Sequence, residues 1–180
     1  MRKRQSGKVA LCGVMCDLAM VFMLCGSMFP FATFCAPAMS GILLVPVAME
    51  CGMRFAWACY GALALLSLLF VPDKEMAVMF IFLLGHYPLL KAYLQKLPWR
   101  WARGAAKALA FNACVFAAYG AMLYLFPIQY VVEEFSQTAA PMLACLVLLG
   151  NVCFWVYDAA LCNLQRAYLC RIRPLLKRFL

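Results

Sequence analysis

Six long apolar stretches follow one another along the chain, and short polar or proline-containing segments separate them. Each stretch approaches the roughly 20 residues that an α-helix needs to cross the hydrocarbon core of a bilayer. The segments between them, such as 26–30, 51–54 and 72–75, contain turn-forming or charged residues. The pattern predicts six transmembrane helices, at residues 9–26, 34–50, 55–71, 76–94, 105–126 and 141–163, followed by a basic C-terminal tail at 164–180.

The composition makes a soluble fold untenable. Hydrophobic residues make up 68% of the 180 residues and charged residues only 13%, about half of the share found in soluble domains. So much apolar surface must face lipid, because water-compatible groups cannot cover it. We therefore expect a single domain, residues 1–180, that folds as an all-α integral membrane protein and crosses the cell membrane several times. The basic start runs directly into the first span, so no cleavable leader is expected.

The basic residues orient the predicted spans. With the N-terminus in the cytoplasm, every basic residue except Lys74 lies in or beside a cytoplasmic segment, as Lys and Arg strongly prefer. A five-span arrangement would place the basic tail outside, so six spans with both termini cytoplasmic are predicted. This topology and anionic lipid of the inner leaflet explain the net charge of +9, and no nucleic-acid partner is expected.

A few polar side chains are predicted to lie inside the membrane, where they are costly and usually have a partner or a function. Asp17 and His86 fall near mid-bilayer, and Asn112 and Asn151 at intermediate depth. Two interpretations remain open for each of them. One is a ligand or proton site, and the other is a hydrogen bond that joins neighbouring helices.

The fourth span carries the most site-like local feature. Pro88 cannot donate a helical hydrogen bond, so Tyr87-Pro88 should kink the helix and free a backbone carbonyl beside His86. A polar backbone group beside a mid-membrane histidine is a plausible place for a ligand.

Two acidic residues are expected to act nearer the inner surface. Asp158 and Glu50 should meet Arg54 or Arg166 there, in a structural or docking role. Residues that could act in catalysis are scarce, because the chain has one histidine and seven acidic residues. It also has no zinc-protease, nucleophile-elbow, phosphate-loop or dinucleotide motif. We expect no enzyme, no cofactor and no metal site.

Eleven cysteines are present, and none of them forms a C-x-x-C pair. Most lie within apolar stretches, where free cysteine behaves as a small packing residue. Cys12 and Cys16 share a helix face, but no histidine is near them in sequence, so a metal-binding role has weak support.

Several short motifs together resemble one transporter family, and the similarity covers most of the chain. They are the basic start Arg2-Lys3-Arg4, the Gly26-Ser27-x-x-Pro30 exit of the first span, Pro37-x-x-x-Gly41, Pro46-x-x-x-Glu50, Pro72-Asp73-Lys74-Glu75 and Gly85-His86-Tyr87-Pro88. A six-span chain with these features and no motor of its own resembles the substrate-binding S component of an energy-coupling factor (ECF) transporter, or a related six-span bacterial membrane protein.

The resemblance implies a helical bundle that holds a vitamin-like or other small solute in a pocket open to the outside. It also implies an ECF transmembrane coupling subunit and two cytoplasmic ATPases as partners. The solute would be expected at His86, Asn112, Tyr119 and Asn151. The family often docks its partner through an Ala-x-x-x-Ala face of the first span, for which the nearest equivalents here are Ala10, Cys12, Val14 and Cys16.

Two other hypotheses remain. A non-transporting membrane scaffold or assembly factor would use the basic tail and the loops as docking surfaces, and would have partners but no ligand pocket. A membrane enzyme is the third, with lipid-linked chemistry at Asp17 or Asp158, and it has the weakest support because catalytic groups are so sparse.

Overall fold

The structure, a computed structural model, describes residues 2–29, 32–95, 99–124 and 140–172. In these ranges the chain is almost entirely helical and contains no strand. The α-helices, in chain order, are α1 (Arg2–Gly26), α2 (Cys35–Glu50), α3 (Met53–Phe70), α4 (Lys74–Met79), α5 (Tyr87–Leu94), α6 (Arg100–Tyr124) and α7 (Ala140–Ala167). Two π-helical turns, Phe80–Leu84 and Tyr168–Ile172, join α4 to α5 and extend α7.

Five helical segments are long and apolar enough to cross a membrane, which agrees with the predicted all-α membrane fold. They are Gly7–Gly26, Met53–Phe70, Lys74–Leu94, Trp101–Met122 and Val147–Cys170. The remaining predicted span, 34–50, is the second in chain order and corresponds to α2, an apolar helix of only 16 residues.

The helices differ from the predicted spans mainly at their basic ends. α1 already begins at Arg2, α6 begins at Arg100, and the helical chain continues through the first part of the predicted tail to Ile172. Lys and Arg extend their apolar stems along a helix while the charged group reaches toward water. An apolar pattern therefore stops before the helix does.

The centre of the bundle is formed by α2 and by the segment α4–α5. Four side chains of this centre are at most 1% exposed: Leu44, Val47, Phe80 and Leu89. Their burial is what holds the helices together. Ser40, also fully buried on α2, donates to the carbonyl of Ala19 on α1 at 2.9 Å. The hydroxyl thereby satisfies its own hydrogen-bonding need inside the core.

The predicted interruption of the fourth span is confirmed. Gly85 N–H donates to Phe80 O at 2.8 Å, five residues back instead of four, and α5 starts only after His86 with Pro88 in its first turn. Gly41 of α2 passes directly against this break, because a Cβ there would collide with the Leu84 carbonyl oxygen. The absent side chain lets α2 approach the broken helix closely.

Candidate functional site

His86 lies between two helices and two polar partners. Its Nδ1 is 3.3 Å from the carbonyl oxygen of Ile81, and its Nε2 is 3.4 Å from Cys114 Sγ on α6. A carbonyl oxygen only accepts, so in the neutral ring Nδ1 carries the proton and Nε2 accepts from the thiol. The Tyr60 hydroxyl also donates to Ile81 O, at 2.6 Å. The Ile81 carbonyl, inside the π-helical turn, is thus the acceptor on which His86 and Tyr60 converge.

Asn112 and Asn151 pair with each other across α6 and α7. Asn112 Nδ2 donates to Asn151 Oδ1 at 3.1 Å, and Asn151 Nδ2 donates to Asn112 Oδ1 at 3.2 Å. Each amide also donates to the carbonyl four residues back in its own helix, at 2.8 Å. Both side chains therefore have partners for their oxygen and for both N–H groups, which is the arrangement expected of a helix-joining pair.

The fourth predicted solute-binding residue lies apart from this pair. Tyr119 packs against a buried apolar cluster that includes Val78, Met79, Ala118 and Met122. The structure thus brings Asn112 and Asn151 together, places His86 against Cys114, and leaves Tyr119 in different surroundings.

A cluster of charged side chains joins α5, α6 and α7, and we call it the lysine–aspartate cluster (Lys91, Lys107, Asp158 and Tyr87). Asp158 Oδ1 is 2.8 Å from Lys91 Nζ, and Oδ2 is 2.8 Å from Lys107 Nζ. The Tyr87 hydroxyl donates to Oδ1 at 2.6 Å. Lys91 also donates to the backbone oxygen of Asp158 at 2.6 Å. The Lys91 side chain is completely buried.

The expected partners of Asp158 were wrong. The carboxylate meets Lys91 and Lys107 and not Arg54 or Arg166. Both lysines look like loop charges in the sequence, yet each lies just inside a predicted apolar span, at the same end of the bundle as Asp158. Two cations and one acid inside apolar stretches at one depth form a signal that could have predicted the pairing.

One face of α1 is exposed along most of its length and carries a charge at its centre. The residues of this face are exposed and recur with helical spacing: Ala10, Gly13, Val14, Asp17 and Val21. Asp17 lies ten residues after Gly7, which is the middle of the membrane-length segment Gly7–Gly26. Within the part of the chain that the structure describes, no hydrogen bond or ion pair reaches its carboxylate.

The four predicted docking residues divide between two faces of α1. Ala10 and Val14 belong to the exposed face. Cys12 is buried and Cys16 packs against the same core cluster as Cys59 of α3. The small residue that accompanies Ala10 and Val14 on the exposed face is Gly13.

Four of the thiols lie in or against one core cluster of α1, α2 and α3: Cys12, Cys16, Cys51 and Cys59. Cys51, in the turn between α2 and α3, donates to the Lys8 carbonyl at 3.4 Å, and burial raises the pKa of its thiol to about 11. Across the described ranges, no three His, Cys, Asp or Glu side chains come together as a metal site.

Comparison with protein-family models, with curated proteins and with solved structures finds no match for this chain.

Proposed function

We propose that this chain is the membrane-embedded solute-binding subunit of an ECF-type importer for a small solute such as a vitamin. It would act together with a transmembrane coupling subunit and two cytoplasmic ATPases, and α1 would contact the coupling subunit. The observation that carries the proposal is the exposed carboxylate of Asp17 at the centre of a membrane-length helix.

An unpaired carboxylate at the bilayer centre costs about 3 kcal/mol on insertion scales. A second membrane protein that covers the face removes this cost if it offers a hydrogen-bond donor or a cation opposite Asp17. Ala10 and Gly13 lie toward the N-terminus on the same face, and a Cβ added to Gly13 would meet no atom within 4 Å. Small residues of this kind allow two helix backbones to approach closely. The expected occupant is a transmembrane helix with small residues and a basic or amide side chain at mid-membrane depth.

The proposed topology has six crossings of the cell membrane, with both termini in the cytoplasm. The distribution of basic residues supports it. In this topology α2, whose 16 residues correspond to about 24 Å of helix, is the shortest crossing. In this topology the lysine–aspartate cluster lies in the cytoplasmic half of the membrane.

The solute is proposed to interact with His86 and the polar groups near it. Proline and the π-helical turn leave backbone carbonyls beside His86, and π-helical turns occur frequently at functional sites. The Asn112–Asn151 pair lies on the two helices that follow, where its amide groups could exchange their mutual hydrogen bonds for bonds to a solute.

The mutual pairing of Asn112 and Asn151 also favours a second candidate function, a non-transporting scaffold or assembly factor. In that case the two amides are purely structural, and the exposed α1 face binds a partner without any solute. Both candidates require a membrane partner on α1, and they differ in the identity of that partner and in solute binding.

The test is affinity purification of the tagged protein from its native membrane in mild detergent, with partners identified by mass spectrometry. We expect two ATPases and a second membrane subunit to be recovered. Gly13→Leu should abolish this recovery, because the new side chain projects from the α1 face. Gly61→Leu on α3 is the matched control, because a Cβ at Gly61 also meets no atom within 4 Å.

Recovery of other proteins that Gly13→Leu removes would favour the scaffold. Recovery that is equally sensitive to Gly61→Leu, or no specific partner at all, would overturn the docking role of α1. Asp17→Asn refines the result, because it removes the charge and retains the shape. If the partner places a cation opposite Asp17, less of the partner should be recovered with this variant.

A further inference from the structure

We propose that the lysine–aspartate cluster, together with Arg103, forms a binding site for the phosphate group of an anionic phospholipid. The inference rests on the proposed orientation for the leaflet it assigns, which is the cytoplasmic one. It does not depend on import of a solute.

The charges within the cluster do not balance. Lys91 and Lys107 both contact the single carboxylate of Asp158, and Tyr87 adds a neutral hydroxyl. With all groups ionised, the cluster carries one excess positive charge. An uncompensated charge of this kind is expensive where water is largely excluded. Among the residues that the structure describes, Asp158 is the only acid that contacts the two lysines, so a further anion is needed to balance the cluster.

Lys107 is the point at which an anion can enter. Lys91 is completely buried and donates twice to Asp158. The Lys107 side chain remains 12% exposed, and of its three N–H groups one is used by Asp158 Oδ2 in the described part of the chain. An oxyanion beside Lys107 can therefore accept from the ammonium group without displacing Asp158.

The depth of the cluster matches a lipid headgroup. Lys91 lies three residues before the end of α5, and Lys107 lies seven residues after the start of α6. These separations correspond to about 5 Å and about 10 Å along the helices. Both side chains are thus close to the boundary between acyl chains and headgroups, and long basic side chains reach toward this boundary.

Arg103 extends the site toward the membrane surface. It precedes Lys107 by four residues on α6, so the two side chains occupy one face of the helix. Its side chain is half-buried. A phosphodiester between Lys107 and Arg103 would neutralise the excess charge and retain its glycerol and acyl chains in the lipid. Basic pockets between transmembrane helices on the cytoplasmic side bind anionic headgroups in this way.

The test measures which lipids stay bound. The full-length protein is reconstituted in nanodiscs of phosphatidylcholine with a minor fraction of phosphatidylglycerol, and retained lipid is counted by native mass spectrometry. We expect phosphatidylglycerol to be enriched on the wild-type protein, and Lys107→Gln to lower this enrichment roughly fivefold. Arg54→Gln is the matched control, since it removes one exposed basic charge from the first turn of α3, outside the cluster, and should leave the enrichment unchanged.

Equal enrichment on the wild type and on Lys107→Gln, or an equal loss with Arg54→Gln, would overturn the proposal. If Lys107→Gln does not fold, Lys107→Arg and Arg103→Gln decide the question. The first should preserve the enrichment and the second should lower it. Addition of inorganic phosphate distinguishes the source of the anion, because displacement of the lipid at millimolar phosphate would reassign the site to a soluble phosphate and overturn its assignment to lipid.

Discussion

The carbonyl oxygen of Leu84 accepts a hydrogen bond from the Tyr157 hydroxyl at 3.3 Å. Pro88, four residues after Leu84, has no N–H that could form the usual helical bond to this oxygen. A side chain of α7 thus supplies a donor that the helix itself lacks, and it does so where Gly41 of α2 passes the break.

The first prediction concerns the Tyr157 hydroxyl, which takes the place of the helical N–H that Pro88 lacks. Tyr157→Phe should lower the free energy of unfolding by about 1 kcal/mol, because it leaves the Leu84 oxygen without the hydroxyl donor. In a Pro88→Ala background the helix can supply an N–H to the Leu84 oxygen. Tyr157→Phe should then lower the free energy of unfolding by clearly less. Thermal unfolding in detergent, followed by tryptophan fluorescence, measures both differences in one double-mutant cycle. Equal costs in the two backgrounds would refute the link between Pro88 and Tyr157.

The second prediction follows from the charge count of the lysine–aspartate cluster. Asp158→Asn leaves the buried Lys91 and the partly exposed Lys107 without a counterion, and should destabilise the protein by about 3 kcal/mol or more. Lys91→Met leaves a charge-balanced pair between Lys107 and Asp158, so it should lower the free energy of unfolding by substantially less than Asp158→Asn does. The measurement is again thermal unfolding of the purified variants. A larger effect of Lys91→Met would show that the burial of Lys91 matters more than the charge balance.

The third prediction addresses the asparagine pair. If Asn112 and Asn151 act as one hydrogen-bonded unit, Asn112→Ala and Asn151→Ala should each cost about 1 kcal/mol, and the double variant should cost little more than either alone. Asn163→Ala, at an exposed position of the same helix α7, is the control and should be neutral. Additive costs would mean that the two amides stabilise the bundle independently.

The fourth prediction tests the orientation of the helices with cysteine labelling. Cys35, exposed at the start of α2, and Cys170, exposed beyond α7, lie at opposite ends of the bundle. In single-cysteine variants in intact cells, an impermeant maleimide should label Cys35 directly and Cys170 only after permeabilisation. The reverse pattern would overturn the proposed cytoplasmic position of both termini.

The fifth prediction concerns the reactivity of Cys51. Its pKa is raised to about 11 by burial, and only the thiolate reacts with maleimides. At pH 8 about one molecule in a thousand then carries the thiolate, so Cys51 should label much more slowly than exposed Cys35 in permeabilised membranes. The rate should increase about tenfold for each pH unit up to pH 10. A rate at pH 8 equal to that of Cys35 would contradict the burial of the thiol.

Much of the fold follows from the sequence, because the apolar stretches and the prolines act locally. Pro88 alone predicts the interruption near His86. The π-helical turn at Phe80–Leu84 could not be predicted in this way, since the Ile81 carbonyl within it accepts from the Tyr60 hydroxyl of another helix, a contact that local sequence does not reveal.

The side-chain pairs were harder to predict than the helices. Asn112 and Asn151 were expected to be polar groups inside the membrane, but spacing along the chain does not reveal that they face each other across two helices. Lys91 was counted among the basic residues in or beside cytoplasmic segments, because Lys and Arg favour that side, whereas three-dimensional packing buries it completely beside Asp158.

The π-helical turn has a consequence for how the length of this chain can vary. A turn with bonds five residues apart accommodates one residue more than a regular helix of the same rise. Deletion of a single residue between Phe80 and Leu84 should therefore convert the turn to α-helix while Met79 and Tyr87 keep their neighbours. Insertions and deletions inside transmembrane helices ordinarily rotate everything that follows by about 100°. At this turn the chain can lose a residue, and with it the carbonyl geometry that Tyr60 and His86 use at Ile81, without repacking the bundle.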